Sequence, residues 1–148
     1  MIDRPSAVLF VCTLNAFRSP MAEALVRRYY GRRIYVQSCG VRPEGTVDPM
    51  VVQVMDEIGA DLSSFRPKSF WELDNHGFDL IITLSPEAHH HALELTRTEA
   101  VEVRYWPTMD PTIFTGSRQQ VLEGFRMVRD SLARRIRQTF GSRPAPAP

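Results

Sequence analysis

Short apolar runs alternate with longer segments of helical character along most of the chain. The four runs are AVLFV, IYVQS, FDLIITL and VEVRYW, which begin at positions 7, 34, 78 and 101. Nearly continuous apolar character over this length is typical of strands that are buried on both faces of a parallel sheet. The pattern therefore predicts four strands that are joined by helical crossovers.

The segments that follow the first three runs carry helix start signals. A serine or an aspartate stands directly before a proline at 19–20, 48–49 and 85–86, where the first residue can cap a helix and the proline suits its first position. Gly31 stands where the first of these helices is expected to end. That helix is therefore predicted to have Ser19 as its N-cap.

The last helical segment, 117–140, has one apolar face, formed by Val121, Leu122, Phe125, Val128, Leu132 and Ile136. The alternation of strands and helices predicts a three-layer α/β fold, with a four-stranded parallel sheet flanked by helices on both faces. In such sheets ligands bind outside the carboxyl ends of the strands. Cys12 ends the first strand and Asp110 follows the fourth, so both can share one crevice.

Length and composition indicate one globular domain. The chain has 148 residues, of which 43% are hydrophobic and 24% are charged, close to the averages of globular proteins. We expect a single domain over residues 1–140. The remaining segment, 141–148, contains three prolines and is expected to be a disordered tail.

Charge and cysteine content narrow the function classes. A net charge of +1 gives no general attraction to nucleic acid or to anionic membranes. The two cysteines, Cys12 and Cys39, are too few for a disulfide scaffold, match no zinc spacing and fit a reducing compartment. The early apolar run at 7–12 is too short for a secretion signal. We expect a cytoplasmic protein, a monomer or weak homodimer, that binds neither nucleic acid nor membrane.

The loop between the first strand and the first helix has the residues of an anion site. Backbone N–H groups at 13–18 can converge on one point beside the helix N-terminus, whose dipole favours negative charge. Arg18 can bind two oxygens of an anion at once. The positive potential of Arg18 and of the helix N-terminus also favours a nucleophilic thiolate at Cys12. Ser19 can donate a hydrogen bond to that sulfur, and Asn15 tolerates the positive φ that a tight loop requires.

Other interpretations stay open at this point. Cys12 also fits a small core residue that ends a strand, with Ser19 acting only as a helix cap. The sequence MDPT around Asp110 also fits a plain turn. The three histidines at 89–91 are predicted to lie on a solvated helix face, because adjacent helical residues point about 100° apart and cannot chelate one ion together. No metal ion is predicted.

The stretch VLFVCTLNAFRSPMAEAL resembles the phosphate-binding loop of the low-molecular-weight protein tyrosine phosphatases and of the arsenate reductases that share their fold. The SCG after the second strand resembles the Ser-Ala-Gly of this family, and Asp110-Pro111 resembles its general-acid motif. The resemblance covers about residues 7–140. It implies a phosphate-binding set formed by Thr13, Leu14, Asn15, Ala16, Phe17 and Arg18.

The resemblance implies a two-step phosphoryl transfer without a cofactor. Cys12 would attack phosphorus while Arg18 and the loop N–H groups stabilise the equatorial oxygens. Asp110 would protonate the leaving oxygen and then act as base for the water that hydrolyses the phosphocysteine. Ser38 would support Asn15 by hydrogen bonding.

The chain departs from the family pattern near the expected mouth of the site. Leu14 stands where a glycine is usual, so its side chain projects near the entrance. Phe17 replaces a second loop cysteine, so a protective disulfide is not expected. Thr112, Ile113 and Phe114 stand where tyrosines commonly flank the substrate ring. A phosphotyrosine ring can still stack on Phe114, so Leu14 and Phe114 are predicted to flank the substrate.

Three other segments, 45–70, 78–85 and 110–136, look more like the arsenate reductases. Arsenate resembles phosphate, but its reduction needs a second thiol. The thioredoxin-linked reductases of this fold carry a cysteine just after the third strand, where this chain has Ser85, and no cysteine follows Cys39. A small thiol such as glutathione or mycothiol could replace the missing relay. Cys39 itself is more typical of a core residue.

The first prediction is therefore a phosphatase that acts on phosphotyrosine or another aryl phosphate, with a phosphorylated protein or a small aryl phosphate as its partner. The alternative is an arsenate reductase that uses Cys12 and an external small thiol. A third hypothesis is a phosphate or phosphopeptide sensor without catalysis. The phosphatase requires Asp110, the arsenate reductase requires a second thiol, and a sensor that only binds requires neither.

Overall fold

A four-stranded parallel sheet forms the centre of the computed structural model, which describes residues 5–141. The strands are β1 Ala7–Cys12, β2 Tyr35–Gly40, β3 Leu80–Thr83 and β4 Glu102–Tyr105. Their order across the sheet is β2-β1-β3-β4, and each neighbouring pair is parallel. The predicted strand number and direction are confirmed, although β3 and β4 are each shorter than their apolar runs.

Helices cover both faces of this sheet. The longer helices are α1 Arg18–Tyr30, α2 Pro49–Asp56, α3 Pro86–Leu95 and α4 Arg118–Phe140, and two short 3-10 helices span Phe70–Glu72 and Pro111–Ile113. The three-layer α/β architecture is therefore confirmed. Among residues 5–141, none of the helices has both the length and the apolar character needed to cross a bilayer.

Strand β1 contributes alternate residues to two separate cores. Val8 and Phe10 pack with α1, α2 and α4, whereas Leu9 and Val11 pack with α3. Successive side chains of a strand point to opposite faces, so a strand that is covered on both faces must be apolar throughout. The same alternation places Cys12 in the core of α1, α2 and α4.

The start of α1 differs from the prediction. The helix begins at Arg18, and Phe17 occupies the N-cap position without a capping side-chain hydrogen bond. Ser19 lies inside the first turn and is fully buried. Its hydroxyl is bonded to Cys12 and Asn15 and does not cap the helix. The prediction that Ser19 is the N-cap was wrong, because its hydroxyl is hydrogen-bonded to Cys12 and Asn15 inside the protein.

The two later crossover helices start as predicted. The Asp48 carboxylate accepts a hydrogen bond from the Met50 N–H at 2.8 Å. The Ser85 hydroxyl accepts one from the Ala88 N–H at 3.1 Å. In both helices the following proline occupies the first turn, where its missing N–H costs nothing.

The end of α4 lies beside the end of α1. The Tyr30 hydroxyl donates to the carbonyl of Gly141 at 2.6 Å, and the rings of Tyr30 and Phe140 meet edge to face. Residues 142–148, most of the segment that was expected to form a disordered tail, lie outside the described residues.

An ion-pair cluster joins α4 to the end of α2. Glu57 accepts from the Arg126 guanidinium at 2.8 Å and from Arg129 Nη1 at 2.8 Å. Arg129 Nη1 also donates to the Val54 carbonyl at 2.7 Å. The hydrogen bonds from Arg126, followed by those from Arg129, lower the pKa of Glu57 to about 2. The cluster therefore favours the folded state whenever Glu57 is ionised.

Replacement of Glu57 by glutamine is expected to destabilise the protein in a pH-dependent way. Because the folded-state pKa lies below the unfolded value, the contribution is present above about pH 4.5 and is lost as the pH falls towards 2. For a solvent-screened cluster we expect Glu57→Gln to lower the Tm by about 2–4 °C at pH 7. Thermal unfolding at pH 7 and pH 3.5 measures the difference, with the exposed pair variant Glu94→Gln as control. An equal loss at both pH values would contradict this account.

Candidate active site

The sulfur of Cys12 lies at the carboxyl end of β1 and has two polar neighbours. Its Sγ is 2.8 Å from the Ser19 hydroxyl and 3.2 Å from the backbone nitrogen of Asn15, which donates to it. Cys12 is 2% exposed, so both contacts are shielded from bulk water. The sulfur thus accepts one hydrogen bond from the Asn15 N–H and has a second possible donor in Ser19, an arrangement that suits a sulfur acting as nucleophile and leaving group.

Asn15 holds the loop in a shape that few residues adopt. Its φ is 56°, the one positive value among non-glycine residues within 5–141. Its Nδ2 donates to Ser19 Oγ at 2.8 Å and to Ser38 Oγ at 3.0 Å, and its Oδ1 accepts from the Lys68 N–H at 3.0 Å. The structure thus brings Asn15, Ser19 and Ser38 together, and it contains the Ser38–Asn15 hydrogen bond that the family resemblance implied. The bond from Lys68 was not expected.

Neighbouring segments bind the outer side of the loop. The Arg42 N–H donates to the Thr13 carbonyl at 2.8 Å, and the Asp48 N–H donates to the Ala16 carbonyl at 3.1 Å. The Thr13 and Ser85 hydroxyls lie 3.0 Å apart. Because these carbonyls are engaged from outside, the loop can keep one conformation around the sulfur.

Gly40, at the end of β2, approaches the loop more closely than any side chain would allow. A Cβ at this position would lie 2.8 Å from the Asn15 nitrogen and 2.9 Å from the Leu14 carbonyl carbon. Both neighbours are backbone atoms of the loop and cannot move aside without changing its shape. The sequence resemblance included this glycine, but its contact with the loop was not anticipated.

Arg18 connects the loop to the segment that carries Asp110. Its Nη1 donates to the Thr108 carbonyl at 3.0 Å, in the stretch that follows β4. Asp110 caps the short helix Pro111–Ile113, where its Oδ1 accepts from the N–H and the hydroxyl of Thr112 at 2.9 and 2.7 Å. Asp110 therefore does form a local turn, as one of the two interpretations of MDPT predicted. Its role as general acid stays a prediction.

Phe114 packs against helix α4. Its side chain packs against Gly124 of α4, so closely that a Cβ there would meet the ring at 2.3 Å. The absence of a side chain at Gly124 lets the ring dock on α4, and the substrate-flanking role of Phe114 stays a prediction. Leu14 remains partly exposed within the loop, whereas Phe17 packs on Phe125 at 6.3 Å between ring centroids.

Cys39 lies on the other face of the sheet from Cys12. It pairs in register with Val11 and belongs to the core beneath α3, whereas Cys12 belongs to the opposite core. Cys39 is 1% exposed, and burial raises the pKa of its thiol to about 12. It is a core residue, and its side chain points away from the site.

His89 also has a structural contact. Its Nδ1 lies 2.9 Å from the Thr83 hydroxyl, and its ring stacks on Tyr105 with centroids 5.0 Å apart. The expectation that all three residues of 89–91 form a solvated face was therefore wrong for His89, because its ring finds a partner on β4.

The comparisons with known proteins agree with this geometry. Residues 7–143 match the family model described as low molecular weight phosphotyrosine protein phosphatase. An arsenate reductase from Halalkalibacterium halodurans is 33% identical over 131 residues, which cover 88% of this chain and 91% of the relative. The chain belongs to the low molecular weight phosphotyrosine protein phosphatase family.

Solved structures place the same fold in both branches of that family. A structure titled as an arsenate reductase in the phosphate binding state has a TM-score of 0.74 and 28% identity, covering 90% of this chain and 95% of the other. A low molecular weight protein tyrosine phosphatase from T. tengcongensis has a TM-score of 0.70 and 28% identity, covering 86% and 92%. The suspected family and its alternative branch are both confirmed as relatives.

Replacement of Gly40 by alanine is expected to distort the Cys12 loop. The new methyl group would force the backbone near Asn15 to shift, and we expect phosphate affinity to fall by about tenfold or more. Protection of Cys12 by phosphate against iodoacetamide, followed by mass spectrometry, measures that affinity. Gly77→Ala is the matched control, since a Cβ there would meet only a side-chain atom at 3.4 Å. Unchanged protection in Gly40→Ala would show that the contact is not required.

Proposed function

We propose that the protein reduces arsenate at Cys12 with an external small thiol. The observation that carries the proposal is the contrast between two parts of the site. The Cys12 loop holds a hydrogen-bonded sulfur and is followed directly by Arg18, the groups that attack on a tetrahedral oxyanion requires, whereas Phe114, the aromatic residue that could hold an aryl group, packs on Gly124. The relative from Halalkalibacterium halodurans, named an arsenate reductase, supports the same branch.

The first chemical step would form a sulfur–arsenic bond. The Cys12 thiolate attacks arsenic(V), and one arsenate oxygen leaves as water after taking up protons from solvent. Arg18 and the loop N–H groups neutralise the remaining oxygens. Ser19 and the Asn15 N–H stabilise the sulfur before the attack and when it leaves again.

The reducing electrons would come from outside the chain. An external thiolate attacks Sγ of Cys12, the electron pair of the sulfur–arsenic bond moves to arsenic, and arsenite leaves as a mixed disulfide forms. A second external thiol then attacks the external sulfur and restores the Cys12 thiolate. Two thiols are oxidised to one disulfide for each arsenic atom reduced. Cys39 cannot take the place of the external thiol while it stays on the opposite sheet face.

Hydrolysis of phosphate monoesters is the second candidate function. The Arg18–Thr108 hydrogen bond favours it, because it joins the anion-binding arginine to the segment that carries Asp110. In this reaction Asp110 would serve as general acid and then as base, as the family resemblance implies. A cytoplasmic location would supply the small thiols for the first function and phosphorylated substrates for the second.

Paired assays on the wild type, Cys12→Ser and Asp110→Asn test the proposal. One assay follows arsenite production with glutathione and glutaredoxin or with mycothiol and mycoredoxin, and the other follows p-nitrophenyl phosphate hydrolysis. We expect Cys12→Ser to abolish arsenite production and Asp110→Asn to change it little, because in the proposed step the departing arsenate oxygen takes its protons from solvent, whereas hydrolysis uses Asp110 as acid and then as base. Hydrolysis should fall by about 10²-fold in Asp110→Asn if the second function operates.

Cys39→Ala is the control, and we expect it to leave both activities unchanged. Hydrolysis without thiol-dependent arsenite production would reject the reductase in favour of the phosphatase. Phosphate binding without either activity would leave only a sensor.

A further inference from the structure

A groove lies between helix α4 and the segment that follows β4. One wall is formed by residues 106–109, and the other by the face of α4 that carries Met127, Asp130, Ser131 and Arg134. Two adjoining cavities make up this α4 groove, with volumes of about 320 and 210 Å³, and Ser131 and Arg134 line both of them. The larger cavity has the size at which small-molecule sites begin. The proposed chemistry has so far given this groove no role.

The α4 groove adjoins the candidate active site. Thr108 lines both cavities, and its carbonyl accepts a hydrogen bond from Arg18 Nη1 at 3.0 Å. Met109, which lines the larger cavity, directly precedes Asp110. A molecule in the groove therefore touches the residue that contacts the arginine expected to bind the oxyanion. Such a place suits the second reactant, which has to reach Cys12 while the oxyanion occupies the loop.

The polar groups of the groove include an unpaired cation. Within residues 5–141 the Arg134 guanidinium has no hydrogen-bond, ion-pair or ring partner, whereas the Arg135 guanidinium lies 5.2 Å from the centre of the Trp106 ring. Asp130, one turn before Arg134, accepts through Oδ1 from Arg129 Nε at 2.9 Å, and its side chain is 52% exposed. Arginine binds carboxylates through paired hydrogen bonds, and a carboxylate accepts from ammonium groups. These two residues therefore fit a ligand that carries both a carboxylate and an ammonium group.

Two methionines form the apolar part of the groove. Met109 is 53% exposed and Met127 is 56% exposed, so both offer apolar surface that a ligand could cover. Methionine adapts its shape to a partner and makes favourable contacts through its polarizable sulfur. From Met127 to Arg134 the helix rises by about 10 Å, which is also the length of an extended tripeptide. The groove therefore fits a molecule of about this length with charged groups and an apolar part.

We propose that the α4 groove binds the external thiol of the reaction, and that Arg134 and Asp130 select a zwitterionic peptide thiol of the glutathione type over an uncharged thiol such as mycothiol. Arg134 would bind a carboxylate of the peptide, and Asp130 its ammonium group. The inference rests on the proposed function and names the class of its second substrate. The groove adds no chemical step, because the bound thiolate is the one that attacks Sγ of Cys12 and forms the mixed disulfide.

Titration calorimetry with S-methylglutathione measures the binding, because this compound keeps the charges of glutathione but cannot react. Saturating inorganic phosphate occupies the Cys12 loop, so that the heat reports a different site. In Arg134→Gln we expect the affinity to fall by about tenfold, the effect of losing one hydrogen bond between charged groups. Arg137→Gln is the matched control, because Arg137 is also exposed on α4 but does not line the groove. No binding to the wild type, or equal affinities in the wild type and Arg134→Gln, would overturn the inference.

Arsenite production tests whether the bound thiol is the reductant. The rate is measured against the concentration of glutathione with glutaredoxin and, in parallel, against the concentration of dithiothreitol, an uncharged thiol. We expect Arg134→Gln to raise the KM for glutathione by about tenfold and to leave the KM values for dithiothreitol and arsenate unchanged. An equal change with both thiols, or faster wild-type turnover with mycothiol and mycoredoxin than with glutathione, would overturn the inference.

Two further outcomes separate the inference from the proposed function. Wild-type arsenite production with dithiothreitol but not with glutathione would overturn the role of the α4 groove and leave the reductase standing. Arsenite production with none of these thiols would refute the proposed function itself, before any variant is compared.

Discussion

The left-handed conformation of Asn15 is the constraint on which the rest of the site depends. At φ 56° the backbone turns sharply enough for the Asn15 N–H to reach the Cys12 sulfur at 3.2 Å. The conformation is unfavourable by itself, and three side-chain hydrogen bonds oppose its relaxation. Each comes from a different part of the chain: α1, β2 and the segment before the first 3-10 helix. The loop is therefore as stable as the packing of those elements.

The parallel sheet explains how these distant segments meet. All four strands end at the same edge, so the loops after β1, β2, β3 and β4 surround one place. β2 supplies Ser38 and then Gly40, whose missing side chain allows the loop to approach. The turn after β3 supplies Ser85 beside Thr13, and the segment after β4 is bound to Arg18. The ion pairs of Glu57 join α4 to the end of α2 and share no residue with these loop contacts.

Much of this arrangement follows from the sequence, because its signals are local. Apolar runs predict the strands, and Asp48 and Ser85 start their helices where expected. Ser19 was misassigned as a cap because the same residue type serves caps and tertiary hydrogen bonds. Glu23 of α1, which is buried and accepts a hydrogen bond from Ser38, was missed because a glutamate in a helix usually faces solvent. The position of Phe114 depends on Gly124, ten residues later, and no local pattern reports that contact.

The two sheet faces set the limits of the chemistry. Adjacent residues in β2 point in opposite directions, so Ser38 faces the Cys12 loop and Cys39 faces α3. Cys39 lies one position away from the face of Ser38, so it cannot resolve an adduct on Cys12 unless strand β2 moves. In both proposed reactions the second reactant, thiol or water, would therefore come from solvent. The loop would bind the oxyanion in either reaction, and the groups around its entrance, with Asp110 predicted to be among them, would select the reactant that completes the reaction.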